Sequence, residues 1–222
     1  MKDLSQTMQD YLKAIATLDR GGEVSTTDIA AALKVSPASV TSMIKRLASM
    51  KLIQHKAYRG VVLTHAGRKV AMEIIRHHRL IELYLAEALG YTWDQVHAEA
   101  ENLEHHISED FEDRIAKILG DPKYDPHGDP IPTKDGHLPP TVHDRLCDAD
   151  VDDVLIVRRV NDDDAELLRT LTEHGIGLAT TVRVVERDET SGHITIRVRR
   201  TTVRLQHSSA SRIFVERQAV VS

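Results

Sequence analysis

His97, Glu101, Glu104 and His105 stand at i, i+4, i+7 and i+8 within the run Val96-His97-Ala98-Glu99-Ala100-Glu101-Asn102-Leu103-Glu104-His105-His106. On a helix of 3.6 residues per turn these four side chains fall on one stripe. Imidazoles and carboxylates are common ligands of divalent metal ions. Without an ion, Glu101 and Glu104 one turn apart repel mildly, and a bound dication reverses the sign of that interaction. Upstream, Arg76-His77-His78-Arg79-Leu80-Ile81-Glu82 holds a second such pair, His78 and Glu82 at i, i+4. One pair alone reads as the wet face of a helix. Two pairs on adjacent helices make a candidate metal site.

The elements that must position these residues belong to a chain of 222 residues with one cysteine, Cys147, which excludes both an intrachain disulfide framework and a multi-cysteine zinc site. No stretch of 18 apolar residues occurs, and Met1-Lys2-Asp3-Leu4-Ser5-Gln6 lacks the apolar centre of a signal peptide. The expectation is a soluble, cytoplasmic protein with no membrane partner. Aromatic residues make up only 4%, so the cores must rest on Leu, Ile, Val and Ala. The net charge of -5 is unevenly spread: residues 1–75 carry eleven Lys and Arg against six Asp and Glu, and the remainder eighteen against twenty-eight. The basic end is the one suited to nucleic acid.

Within that basic end, Leu4, Met8, Tyr11, Leu12, Ile15 and Leu18 repeat with helical period up to Arg20-Gly21-Gly22. Ser25-Thr26-Thr27-Asp28 supplies caps for a short helix over Ile29 to Leu33, and Lys34-Val35-Ser36 turns into a third helix opened by Pro37. This is a helix-turn-helix. Its second helix turns Val40, Ile44 and Leu47 inward and offers Ser36, Pro37, Ala38, Ser39, Thr41, Ser42, Lys45 and Arg46 outward as a DNA-reading face. Small hydroxylic side chains let such a helix sit deep in the major groove, and the two cations reach phosphates. Leu52–Lys56 and Val61–Leu63 flank Ala57-Tyr58-Arg59-Gly60 as a β-hairpin. A hairpin there makes the unit a winged helix, with Lys56, Tyr58 and Arg59 at the wing tip.

Thr64 caps a long helix through Leu89 that is apolar on more than one side, and helices over 92–108 and 109–119 are expected to pack with it. The surplus apolar face suits a twofold dimer, and dimers of winged helices read inverted-repeat sites. Six of the seven prolines fall between Pro122 and Pro140, which marks an extended connector without helix. Beyond it, Val154–Val157, Val182–Val185, Ile194–Val198 and Val203–Leu205 read as short strands, with a helix after Asp162-Asp163-Asp164 that stops at Gly175. That is the content of a small SH3-like barrel. The fold class is mainly α, with domains at 1–74 (winged helix), 75–120 (helical metal-binding and dimerisation domain), 121–147 (linker) and 148–222 (barrel).

This order of parts resembles the diphtheria-toxin-repressor (DtxR/MntR) family of metal-dependent transcriptional regulators. The resemblance runs along the whole chain and rests on Met1-Lys2-Asp3-Leu4, Ser36-Pro37-Ala38-Ser39-Val40-Thr41, Tyr58-Arg59-Gly60-Val61-Val62-Leu63-Thr64, His78-Arg79-Leu80 and Glu104-His105-His106. It implies a primary metal site of Asp10, Glu101, Glu104 and His105, an ancillary site of His78, Glu82 and His97, and a C-terminal barrel of FeoA-like type. In barrel-bearing members a carboxylate from the barrel can complete the ancillary site, and Asp164 or Glu166 aligns near that position. Iron-responsive members place a Met and a Cys where this chain has Asp10 and Glu101, and manganese-responsive members resemble it in having carboxylates there. Compact manganese regulators add a Glu one turn after the aspartate. Here that position is Lys13, which cannot ligate while protonated.

The function expected from these readings is a repressor of metal-uptake genes that binds an inverted-repeat operator in double-stranded DNA as a homodimer when loaded with Mn(II). Fe(II) is a second candidate activator and Co(II) an in vitro substitute. No enzymatic activity and no small organic ligand are expected. The competing readings are a winged-helix regulator sensing an organic ligand and a metal-dependent hydrolase. The absence of a His-Glu-x-x-His run and of a free nucleophile weighs against the hydrolase.

Overall fold

The computed structural model describes residues 4–56 and 59–218, and their contacts divide them into two compact units. The first comprises Met1–His78, Leu103–Glu112 and Pro132–Leu138, the second Arg79–Asn102, Asp113–Ile131 and Pro139–Ser222. Among the described residues no helix is long and apolar enough to cross a membrane.

The first unit opens with three helices, α1 (Gln6–Leu18), α2 (Thr26–Leu33) and α3 (Pro37–Ser49). Each begins with a serine whose side chain accepts a backbone N–H: Ser5 from Met8, Ser25 from Asp28 and Ser36 from Ser39. Pro37 follows Ser36 at the first turn, where its missing N–H costs nothing. Met8, Leu12, Ile15, Ile29, Val40, Ile44 and Leu47 form one buried cluster, the apolar faces that the helical periods require. β1 (Ile53–Lys56) and β2 (Gly60–Leu63) pair antiparallel, and Val24 joins Val61 as an isolated bridge. This is a winged helix-turn-helix. Gly60, at φ +129, lies where a Cβ would stand 2.3 Å from the Val24 carbonyl oxygen, so the bridge needs a glycine there. Tyr58 lies outside the described residues.

Thr64 accepts the Gly67 N–H at 3.1 Å at the start of α4 (His65–Leu89). The helix expected over 92–108 is shorter: α5 spans Val96–Leu103, and Glu104, His105 and His106 form a turn before α6 (Glu109–Ile118). The His106 N–H donates to the Leu103 carbonyl at 2.9 Å, a bond three residues back instead of four, which closes the helix. The single stripe from His97 to His105 is therefore cut after Glu101.

The second unit is built on a five-stranded antiparallel sheet in the order β6-β5-β4-β3-β7. Its strands are β3 (Val154–Val160), β4 (Thr181–Asp188), β5 (His193–Val198), β6 (Thr201–Gln206) and β7 (Ile213–Arg217). The register shifts between Val157 and Arg159 and between Val184 and Glu186, and bulges of this kind bend a small sheet toward closure. The helix α7 (Ala165–Glu173), capped by Asp164, adds Leu167, Leu168 and Leu171 to the core formed by Leu155, Val157, Val182, Ile196 and Val215. The connector is without α-helix, as expected from its prolines, yet Asp125, His127 and Ile131 within it are buried. Gly128, at φ +87, sits where a Cβ would approach the Arg158 carbonyl oxygen to 2.1 Å, and the Val160 N–H donates to the His127 carbonyl at 2.9 Å. That stretch is a strap against β3.

Candidate metal centre

Within the first unit, α1 and the turn after α5 bring together Asp10, Glu104 and His105. Asp10 Oδ1 lies 2.8 Å from His105 Nε2, and Glu104 Oε1 lies 3.4 Å from the same nitrogen. The other nitrogen of His105, Nδ1, donates to Gln9 Oε1 at 2.7 Å, which turns Nε2 toward the two carboxylates. Glu104 is 1% exposed, and its Oε1 finds no hydrogen-bond partner among the described residues. A buried carboxylate oxygen left without a donor, facing a histidine nitrogen and a second carboxylate, fits a divalent cation.

The other Glu104 oxygen is engaged. His78 Nδ1 donates to Oε2 at 2.5 Å, and Lys13 Nζ lies 2.7 Å from that oxygen and 3.1 Å from His78 Nδ1. Burial alone would raise the Glu104 pKa, but the His78 bond and the Lys13 charge outweigh it and hold the carboxyl below its usual range. Glu104 is therefore kept ionised.

In the second unit Glu82, His97 and Asp162 converge. His97 Nδ1 lies 2.9 Å from Asp162 Oδ2 and 3.3 Å from Glu82 Oε1, and its Nε2 lies 3.9 Å from Glu101, one turn on. The two carboxylates outweigh desolvation and push the His97 pKa up to about 10. Beside them, Glu82, Asp125 and His127 form a further group, fully buried. His127 Nε2 donates to the Trp93 carbonyl at 2.6 Å, while Nδ1, 3.9 Å from Glu82 Oε2, has no hydrogen bond among the described residues. Desolvation and then Asp129 and Glu82 raise the Asp125 carboxyl well above its usual range.

The structure places Asp164 outside the group around His97. Its carboxylate accepts the Leu167 N–H at 3.0 Å and lies 3.3 Å from Arg212, so it is occupied as a helix cap. The barrel carboxylate beside His97 is Asp162, two residues earlier. Asp162, Asp125, His127 and Gln9 escaped the sequence reading, whereas Lys13 stands beside the first group as its place one turn after Asp10 implies. Asp162 was within its reach as the first residue of the Asp-Asp-Asp run, and the Asp125-Pro126-His127 spacing carried a weak signal. Gln9 carried none.

On α3, Ser36, Pro37, Ala38, Ser39, Thr41, Ser42, Lys45 and Arg46 are all exposed, and Val40, Ile44 and Leu47 are buried. Arg59 is exposed on the wing. Ser36 and Thr41 also serve the helix itself, Ser36 as its cap and Thr41 by donating to the Pro37 carbonyl at 2.9 Å.

With these placements in hand, three families match in succession. Residues 3–61 match the N-terminal DNA binding domain of iron dependent repressors, residues 64–133 their metal binding and dimerisation domain, and residues 145–217 the FeoA domain. The iron-dependent repressor IdeR of Mycobacterium leprae (strain TN) is 38% identical over 133 residues, 60% of this chain, and the chain spans 58% of that relative's length. The HTH-type transcriptional regulator MntR of Geobacillus kaustophilus (strain HTA426) is 35% identical over 114 residues, 51% of this chain and 80% of the relative. A solved structure described as a manganese-dependent transcriptional repressor in complex with manganese superposes with a TM-score of 0.88 at 38% identity, over 95% of this chain and all of the other. With the fold, the three successive domain matches and these relatives in agreement, the chain belongs to the diphtheria-toxin-repressor family of metal-dependent repressors.

Proposed function

We propose that the protein is a Mn(II)-activated DNA-binding repressor of metal-uptake genes, acting as a homodimer on an inverted-repeat operator. The observation that carries this reading is the meeting of Asp10, on the first helix of the winged unit, with Glu104 and His105, from the turn after α5. A cation bound there adds to the single positive charge of Lys13 against the two carboxylates and meets the Glu104 oxygen that has no donor among the described residues. The carboxylates are hard ligands that suit Mn(II), the imidazole is a borderline one that Mn(II) and Fe(II) both accept, and the resemblance adds the carboxylate of Glu101 to the set. Fe(II) takes the same donor types and is the second candidate activator.

The residues of the chain do the rest. Asp10 ties α1 to the ligand turn. Gln9 orients His105, and His78 with Lys13 keeps Glu104 ionised. Because α1 packs in the same core as α3, fixing α1 fixes the reading helix, so metal affinity and DNA affinity are coupled and the coupling is reciprocal. Lys13 stands where a second bridged ion would need a ligand, so this centre holds one ion. A second ion belongs to Glu82, His97 and Asp162. The exposed Phe111 and Ile118, seven residues apart on α6, supply an apolar face for the partner subunit.

The test is to select duplexes from a random pool with Mn(II)-loaded protein and then measure their affinity with Mn(II) and with the metal chelated. A gain of about 5- to 150-fold with Mn(II) is expected. Equal affinities overturn the reading.

A further inference from the structure

The turn Glu104-His105-His106 has no proline, glycine or disulfide to fix its path, yet it must present two ligand atoms in register with Asp10. Behind it lies a buried ion pair that the metal centre as described above does not use. Glu112, on α6, is 1% exposed. Arg76 Nε donates to its Oε1 at 2.6 Å and His77 Nε2 to its Oε2 at 2.9 Å. Arg76 also donates through Nη1 to the Pro132 carbonyl at 2.8 Å.

His77 is 1% exposed as well, and its second nitrogen, Nδ1, lies 3.3 Å from the carbonyl oxygen of Glu104. Both ring nitrogens thus face acceptors. Glu104 is held at two points: His78 and Lys13 take its carboxylate, and His77 takes its backbone. Stability alone gives a poor reason for this arrangement, since a buried ion pair replaced by apolar side chains of similar volume often leaves a protein no less stable.

We propose that Glu112 is a positioning residue of the metal centre: it orients His77, whose ring N–H fixes the Glu104 carbonyl and so sets where Glu104 and His105 offer their ligand atoms. The proposal rests on the reading of Asp10, Glu104 and His105 as ligands. Loss of a partner that orients a metal ligand lowers metal affinity about 10- to 100-fold. At 3.3 Å the bond from His77 is slightly longer than the usual N–H···O range, which places the expected loss near the lower figure.

The experiment is a Co(II) titration of the full chain, read by visible absorption as a difference against Asp10→Ala, which isolates this centre. Glu112→Gln should bind Co(II) about tenfold more weakly, with an altered absorption band. His77→Leu should match it, and the double variant should be no worse than His77→Leu, because Glu112 acts through that ring. His77→Gln, whose amide still donates to the carbonyl, should recover most of the loss. Should Glu112→Gln fail to fold, the contrast between His77→Leu and His77→Gln carries the test. Unchanged affinity and band in Glu112→Gln, strictly additive losses, or equal losses in His77→Leu and His77→Gln overturn the proposal. Co(II) binding that is equally unaffected by Asp10→Ala removes the ligand reading itself, and the proposal with it.

Discussion

Asp10, Glu104 and His105 share their cluster with a lysine ammonium, whereas Glu82 and Asp162 share theirs with His97, whose own pKa they push up to about 10. In the first group Glu104 is held ionised and one of its buried oxygens is left without a donor. In the second, a proton on His97 already offsets part of the charge of the two carboxylates on either side of it. The first group also draws its residues from α1 and from a turn more than ninety positions later, so an ion bound there would fasten the DNA-reading unit. The second lies on α4, α5 and the loop before α7. On the proposed reading the first cluster has the connections of a switch, and in the second a metal would have to displace the His97 proton to bind that nitrogen.

The largest effect expected from this contrast is at Asp10. Asp10→Ala should remove the metal-dependent gain in DNA affinity, about 5- to 150-fold, while the thermal midpoint stays within a few degrees. Fluorescence anisotropy on a selected duplex checks it, and a variant that responds to Mn(II) like the parent breaks the comparison. Lys13→Gln should act in the opposite direction. Lys13 both repels an incoming dication and helps keep Glu104 ionised, so the test is made well above the carboxylate range, where the His78 bond and the solvent pH keep Glu104 charged. Only the repulsion is then lost, and Mn(II) should bind about tenfold more tightly. Electron paramagnetic resonance of free Mn(II) during titration reads this directly.

The second cluster should be the pH-sensitive one. With His97 protonated until about pH 10, metal entry at neutral pH releases a proton, so affinity should rise with pH. Titration calorimetry in buffers of different ionisation enthalpy should count close to one proton in the parent and fewer in Asp162→Asn, with Asp164→Asn behaving as the parent. In the metal-free protein the sign runs the other way. A histidine whose folded pKa is raised contributes stability that is fully present below its unfolded value of 6.5 and fades as pH rises toward 10. The smallest effect is expected outside both clusters: Ser36→Ala removes the cap of α3 and should cost about 1 kcal/mol, read as a fall of a few degrees in Tm.

The winged unit was the most legible part of the sequence, because its signals are local. Ser25, Ser36 and Pro37 mark helix starts, and the apolar periods over 4–19 and 37–49 fall on the buried faces. The end of α5 was not legible, since Asn102-Leu103-Glu104-His105 holds no breaker. Long-range bonds to the turn, from His77, His78, Lys13 and Gln9, accompany the helix end there. The same reason hid Asp162. Any acid of the run 162–164 could cap the following helix, and only tertiary placement gave Asp164 that task and turned Asp162 to His97. The strand β7 was missed because Ile213-Phe214-Val215 is short and flanked by arginine and glutamate. The connector's prolines were read correctly as excluding helix, but composition carries no sign that Asp125 and His127 are buried.

Diffraction from crystals of the Mn(II)-loaded protein, with anomalous maps, tests the central claim most directly. The account predicts a peak within ligand distance of Asp10, Glu104 Oε1 and His105 Nε2 together. A peak held by Glu104 and His105 while Asp10 points to solvent would contradict it, because nothing would then join the ion to the helix that supports the DNA-reading unit.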